Sequence, residues 1–164
     1  MQETNQKARS SRLYPIKEYL FNKGLSMADL SKRCDNLSKG GVSYRIRVGD
    51  CLMQDMVEMA EKAGYRFVWY WEDIDPLPED AVLERSPRPM IVFHSELLKP
   101  VAKYMMRKGI STAEMARRLG NISGPGVAFR LREGVCMISQ MEEMAAAAGY
   151  KFVWYWEDAE NPQE

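Results

Sequence analysis

The chain has 164 residues, of which 23 are Lys or Arg, 23 are Asp or Glu and one is His, so its formal net charge is zero. This balance excludes any inference about partners from total charge, and three Cys residues without a Cys-x-x-Cys spacing argue against a zinc site or a disulfide framework. Because the start lacks an apolar run and no segment reaches about 18 apolar residues, we expect no membrane span, no targeting segment and a cytoplasmic location. We also expect no cofactor.

The sequence is a tandem duplication. Residues 13–73 align without a gap on residues 98–158 at an offset of 85, and 30 of the 61 aligned positions are identical. The repeats of solenoid proteins span only about 20 to 50 residues, so each copy is a whole small domain. Because a domain of about 60 residues has little core of its own, we expect the two copies to pack against each other and to share part of their core.

The chain begins with a polar and basic segment, residues 1–12, which is predicted to be a flexible arm. The first helix of each copy follows, with Pro15 or Pro100 in its first turn and a Lys-Gly pair at its end. Proline fits the first turn of a helix because the backbone N–H that it lacks has no partner there.

The second and third helices are short. The second is predicted over Met27 to Cys34 and over Thr112 to Leu119, each behind a Ser that can cap its first turn. The third is predicted to begin at Ser38 or Ser123 and to end at a glycine, with two apolar residues one turn apart on its inner face.

The fourth helix carries Met and Ala residues at helical spacing, which predicts a buried face. Cys51 and Cys136 stand just before this helix in the two copies and are predicted to be small buried hydrophobic residues. Residues 65–71 and 150–156 are rich in aromatic and β-branched side chains and are predicted as strands.

A proline-rich linker, residues 74–97, separates the copies, and residues 159–164 form a tail. Within the linker, residues 90–93 read Met-Ile-Val-Phe and are predicted as a short extra strand.

Basic residues concentrate in one segment of each copy. From Lys23 to Gly49 there are six Lys or Arg and two acids, and from Arg107 to Gly134 the counts are the same. A local basic excess in a balanced chain is the pattern that a phosphate backbone requires, and it is also typical of an ordinary solvated helix face.

Two short helices joined by a tight turn, the second of them basic, resemble the helix-turn-helix domains of the lambda-repressor and Cro-like (XRE-type) family. The second copy is the more similar, because Ala116 stands at the tight helix contact and Gly120 at the turn. The first copy has Ser31 and Asp35 there. The resemblance implies a mainly α fold of two tandem four-helix domains, each followed by a Trp-rich strand that pairs in a small antiparallel sheet.

The resemblance also implies double-stranded DNA as the partner and a role as a bacterial or phage transcriptional regulator, with repressor-like action. Its recognition helices would cover Lys39 to Arg47 and Gly124 to Arg132. The residues that we expect to face DNA are Lys39, Ser43, Tyr44, Arg45 and Arg47 in the first copy, and Gly124, Phe129, Arg130 and Arg132 in the second.

The start of each recognition helix departs from the family, because it reads Lys-Gly-Gly or Gly-Pro-Gly where the family has side chains that bind bases. Three outcomes stay open. The two helix-turn-helix units, here called heads, bind the DNA backbone with little sequence preference, or they read bases through Tyr44, Phe129 and the arginines alone, or they no longer bind DNA. The glycines also have a simpler interpretation as a helix start.

A fused duplication suggests a repressor dimer built from one chain. We expect the strand over residues 65–71 to pair antiparallel with that over residues 150–156 across a pseudo-two-fold axis, and the target to be asymmetric because the heads differ. The alternative is a homodimer in which the Trp strands pair between chains.

No motif indicates an enzyme, and we expect none. The single histidine, His94, has no partner histidine and is predicted to have an interior or capping role. A second class of function is a helix-turn-helix scaffold that binds protein, such as a phage or mobile-element inhibitor of a host nuclease (an anti-CRISPR, for example) or an antitoxin. The zero net charge and the absence of base-reading side chains favour this alternative.

Overall fold

A computed structural model of the chain describes residues 12–35, 37, 41–78 and 91–159. Within these ranges the protein is mainly helical, with eight helices and one two-stranded antiparallel sheet. The first repeat contributes α1 (Pro15–Asn22), α2 (Met27–Arg33), α3 (Gly41–Val48), α4 (Met53–Lys62) and β1 (Tyr65–Asp73). The second contributes α5 (Lys99–Arg107), α6 (Thr112–Leu119), α7 (Gly124–Glu133), α8 (Ile138–Ala147) and β2 (Tyr150–Asp158). The duplication in the sequence is therefore matched element by element.

The helix starts follow the signals in the sequence. Pro15 and Pro100 stand in the first turns of α1 and α5. Ser26 and Ser111 precede α2 and α6, and each side chain accepts a hydrogen bond from the backbone N–H three residues further on, at 3.0 Å. Ser123 does the same for α7 at 3.1 Å. These contacts confirm the predicted starts.

The turn after the second helix differs between the repeats. In the second repeat Gly120 follows α6 with φ of +77°, a left-handed conformation that glycine adopts readily. In the first repeat α2 ends at Arg33, one residue before the predicted Cys34, which is already extended. Since no described residue other than glycine has a positive φ, Asp35 does not reproduce the left-handed turn.

The inner faces of the helices form the cores as predicted. Val42 and Ile46 of α3 are buried, and so are their counterparts Val127 and Leu131 of α7. The Met residues of α4 and α8 are buried too, at Met53, Met56, Met59, Met141 and Met144. Cys51 and Cys136 are buried and are not part of a disulfide, which agrees with their prediction as small buried hydrophobic residues.

The chain divides into two compact units, and each unit draws on both repeats. The first unit joins the residues up to Val68 with those from Trp154 onward. In it Trp156 stacks on Tyr19, with ring centroids 5.3 Å apart, and Lys23 Nζ lies 3.2 Å from Asp158 Oδ1. The last part of β2 therefore completes a core that α1 begins.

The second unit, Trp69–Val153, contains the equivalent contacts. Trp71 stacks on Tyr104 with centroids 5.5 Å apart, and Lys108 Nζ lies 2.8 Å from Asp73 Oδ1. Here the end of β1 completes a core that begins at α5. The predicted antiparallel pairing of the two Trp strands within one chain is confirmed.

The predicted strand over residues 90–93 is wrong for the three residues that the structure describes, 91–93, which are irregular. The next two residues explain this course, because the backbone N–H groups of His94 and Ser95 both donate to the carbonyl of Arg132, at 2.9 and 3.0 Å. The segment is thereby held at the end of α7 and not at a sheet edge.

Most of the predicted arm, residues 1–11, lies outside the described residues, as do much of the linker, 79–90, and most of the tail, 160–164. Arg12 is described, and its Nη1 donates to the Gly49 carbonyl at 3.0 Å, so the last residue of the predicted arm is anchored.

Candidate nucleic-acid interface

The third helix of each repeat turns equivalent residues to solvent. Since the apolar residues of α3 and α7 face inward, the opposite side is exposed, including Ser43, Tyr44 and Arg47 in the first repeat. Tyr44 and its counterpart Phe129 are each 48% exposed. An aromatic side chain left half in water at the same place in both repeats is the most conspicuous feature of these helices.

An arginine side chain packs over each of the two exposed aromatic rings. Arg47 Cζ lies 5.6 Å from the centre of the Tyr44 ring, and Arg132 Cζ lies 5.6 Å from the centre of the Phe129 ring. The spacing of three residues places both partners on the same face of the helix. The ring restrains the guanidinium, which loses less conformational freedom if it then binds an anion. The structure thus brings together four of the predicted site residues in two equivalent pairs.

Arg45 does not lie where the sequence predicted. It is 7% exposed, its Nε lies 3.1 Å from Asp55 Oδ2 and its Nη1 donates to the Gly41 carbonyl at 3.0 Å. A buried guanidinium neutralised by a carboxylate is a structural residue, so the prediction of a DNA contact at Arg45 is corrected. The signal that sequence reasoning missed is Asp55, which stands ten residues further on and on the next helix.

Arg130, the counterpart of Arg45, is half-buried, and its Nη1 lies 3.9 Å from Met144 Sδ. The position of Asp55 is held by Gln140 in this repeat, and the Gln140 side chain accepts the backbone N–H of Met137 at 2.9 Å. Arg130 therefore lacks the buried carboxylate that neutralises Arg45, but it is directed along α8 instead of standing clear of it.

Close packing restricts two glycines at the start of the third helices, Gly126 and Gly41. A Cβ on Gly126 would lie 2.7 Å from Ile122 Cγ1, whereas one on Gly124 would be in ordinary van der Waals contact, 3.4 Å from the Ala113 backbone. Gly41, the counterpart of Gly126, has φ of +56°, and a Cβ there would lie 2.5 Å from Ser31 Oγ. These contacts favour the structural interpretation of the glycines. Lys39 lies outside the described residues.

Of the two roles expected for His94, interior or capping, the structure shows the second: His94 is exposed and lies at the C-terminal end of α7. Its backbone N–H helps to cap that helix, and its Nδ1 lies 2.8 Å from Glu133 Oε1. Arg132 Nε donates to the same oxygen at 3.0 Å. Hydrogen bonds from Arg132 first, and then from His94, lower the pKa of Glu133.

In the described part of the chain, no group of three or more His, Cys, Asp or Glu residues could hold a metal ion. Nor does any helix among the described residues have the length and apolar character needed to cross a membrane. A shallow depression of about 350 Å³ lies along α1, between Tyr14, Lys17, Glu18, Phe21 and Asn22.

Comparison with known proteins gives no relative: no family model matches the chain, and neither a curated protein nor a solved structure does so.

Proposed function

We propose that the protein binds double-stranded DNA through α3 and α7, as a tandem duplication of a lambda-repressor or Cro-like helix-turn-helix domain that regulates transcription. The observation that carries this proposal is the exposed aromatic–arginine pair at the same place on the third helix of both repeats. A third helix with a buried apolar side and an outward cationic side has the character of a recognition helix.

Each pair suits a nucleic acid chemically. A guanidinium can bind a phosphate oxygen or the O6 and N7 acceptors of guanine, and an aromatic ring can contact the methyl group of thymine. Arg47 and Arg132 supply the charge, and Tyr44 and Phe129 supply the apolar contact. Because glycines occupy the positions that usually carry base-reading side chains, we expect low sequence preference and a large electrostatic share of the affinity.

The two heads are not the same, so the favoured site is asymmetric. Ser43 of the first repeat can form a hydrogen bond to a base or a phosphate, and Ala128 at the same place in the second cannot. Tyr44 has a hydroxyl that Phe129 lacks. Since the strands pair within one chain, we expect the functional form to be a monomer that carries both heads, and sedimentation at several concentrations tests this.

A protein partner is the second candidate. Phe21 is 84% exposed and Tyr14 is 55% exposed, and both line the depression along α1. Exposed aromatic residues of this kind are typical of interaction sites. This observation favours the alternative of a helix-turn-helix scaffold that inhibits a host nuclease or acts as an antitoxin.

The test is fluorescence anisotropy of a labelled mixed-sequence duplex, titrated with protein at several salt concentrations. The variant is Arg47→Ala with Arg132→Ala, because Arg45 is buried. The control is Arg66→Ala, which removes an exposed arginine that pairs with Glu157. We expect binding that weakens steeply with salt, and a slope of log K against log salt reduced in the double variant by about 0.9 for each of the two arginines that contacts a phosphate. Absence of binding at low salt by the folded parent protein contradicts the proposal.

A further inference from the structure

The residue after the third-helix arginine differs in charge between the repeats. In α7 it is Glu133, whose Oε1 accepts a hydrogen bond from Arg132 Nε at 3.0 Å. In α3 the same position is Val48, which is 38% exposed. No carboxylate among the described residues forms an ion pair with Arg47. The two aromatic–arginine pairs therefore have the same shape and different local charge.

The second helices carry the same formal charge in the two repeats but differ in their ion pairs. In α6 the carboxylate of Glu114 binds Arg117 Nε at 2.8 Å and Arg118 Nε at 3.0 Å. One carboxylate in the first turn of α6 thus pairs with both arginines of its last turn and leaves a net charge of +1 on the three residues.

The counterpart of Glu114 in α2 is Asp29, whose side chain is one methylene shorter. Its Oδ2 turns back and accepts the backbone N–H of Ser26 at 3.0 Å, which closes a capping box. Lys32 and Arg33 are left without an ion pair to any described residue. Arg33 still donates to the Lys62 carbonyl at 3.4 Å, as Arg118 does to that of Ala147 at 2.8 Å, so the two arginines have equivalent places.

We propose that the first repeat supplies most of the phosphate contacts and that the second repeat binds the duplex weakly, so that the protein holds one half of its site firmly and the other loosely. This inference rests on the proposed function. A phosphate that approaches Arg132 must displace or tolerate the Glu133 carboxylate, and like charges at close range repel. A phosphate that approaches Arg47 meets Val48 at that position.

The test compares two matched pairs of variants in the same anisotropy titrations on the full chain. The first pair is Arg47→Ala and the double variant Arg132→Ala with Glu133→Gln, which removes the ion pair as a unit and leaves the local charge unchanged. We expect Arg47→Ala to lower the affinity about five- to tenfold near physiological salt and to reduce the salt slope by about 0.9, as the loss of one phosphate contact does. We expect the double variant to change the affinity by about twofold or less, because Arg132 is held by Glu133 and contacts no phosphate in the parent protein.

The second pair exchanges the local charge. Glu133→Gln is expected to raise the affinity about fivefold and Val48→Glu to lower it about fivefold, the effect of one charge near a phosphate in water. These four positions are solvent-accessible, and a thermal melt of each variant tests whether it is folded. A loss in the double variant of Arg132 and Glu133 equal to or greater than that in Arg47→Ala overturns the inference and leaves the proposed function standing, as does an unchanged affinity in Glu133→Gln. Failure of the parent protein to bind the duplex overturns both.

Discussion

Trp156 stacks on Tyr19 with an angle of 20° between the rings, although one residue belongs to the second repeat and the other to the first. Trp71 and Tyr104 repeat the arrangement in the other unit, at 17°. Tyr65 and Tyr150 anchor these clusters through their hydroxyl groups, which donate to the carbonyls of Tyr19 and Tyr104 at 2.8 and 3.0 Å. Neither repeat on its own contains the complete core of a unit.

We predict that Trp156→Ala lowers the free energy of unfolding by about 3 to 5 kcal/mol, because it removes a buried ring and leaves Tyr19 and Tyr65 facing a cavity. Urea denaturation measures the change. Tyr155→Ala is the control, since Tyr155 is the preceding residue of β2 and is 41% exposed. A loss in Trp156→Ala no larger than that in the control contradicts the account of the core.

The buried pair of Arg45 and Asp55 should depend on both partners. Asp55→Ala is expected to cost about 3 to 5 kcal/mol, because it leaves a buried guanidinium without a counter-charge. Gln140→Ala, at the equivalent position, should cost only about 0.5 to 2 kcal/mol, since it removes a single hydrogen bond at a helix start. The double variant Asp55→Ala with Arg45→Met should recover much of the loss. If it does not, the charge of Arg45 is not the cause.

The close contact at Gly126 should make it intolerant of a side chain despite its helical backbone. Gly126→Ala is expected to cost about 1 to 3 kcal/mol, because the new Cβ displaces Ile122. Combining it with Ile122→Ala should relieve the clash, so that the two substitutions together cost less than the sum of their separate effects. Additive costs would show that Gly126 is needed for another reason.

The ion pairs of α6 predict a pH dependence. Hydrogen bonds from Arg117 first, and then from Arg118, lower the pKa of Glu114 from 4.5 to about 2. A carboxyl whose pKa is depressed by folding stabilises the protein above its unfolded pKa and loses that contribution as the pH falls through its folded pKa. The difference in melting temperature between the parent and Glu114→Gln should therefore be constant above about pH 5 and shrink between pH 4.5 and 2.

The control for this titration is Glu143→Gln, which changes an exposed glutamate of α8 that forms no ion pair with a described residue. If the difference in melting temperature between the parent and Glu114→Gln stays constant down to pH 2, the ion pairs of Glu114 are not its cause.

Local signals predicted most of the helical architecture. Pro15, Ser26 and Ser123 mark helix starts through chemistry that acts over three or four residues, and the apolar spacing identified the buried faces. The duplication added long-range information, because two copies of one aromatic strand predicted that they would pair with each other.

The errors arose where distant residues decide the outcome. The sequence around Arg45 predicts an outward cation, but in the structure Arg45 is buried and pairs with Asp55 of the next helix. Residues 91–93 have strand-forming side chains, yet the carbonyl of Arg132, some 40 residues away in sequence, binds the two N–H groups that follow them. Gly126 is a local case, because the side chain of Ile122, four residues earlier, leaves no room for a Cβ there. No local pattern reports Asp55 or the Arg132 carbonyl as a neighbour.

The charge difference between Val48 and Glu133 has a genetic consequence. In a homodimer one codon specifies the same residue in both subunits, so a substitution that weakens one head weakens the other equally. Here the two positions are encoded separately, so a mutation can alter one repeat and leave its counterpart unchanged. The duplication within one chain therefore allows the two repeats to diverge in charge.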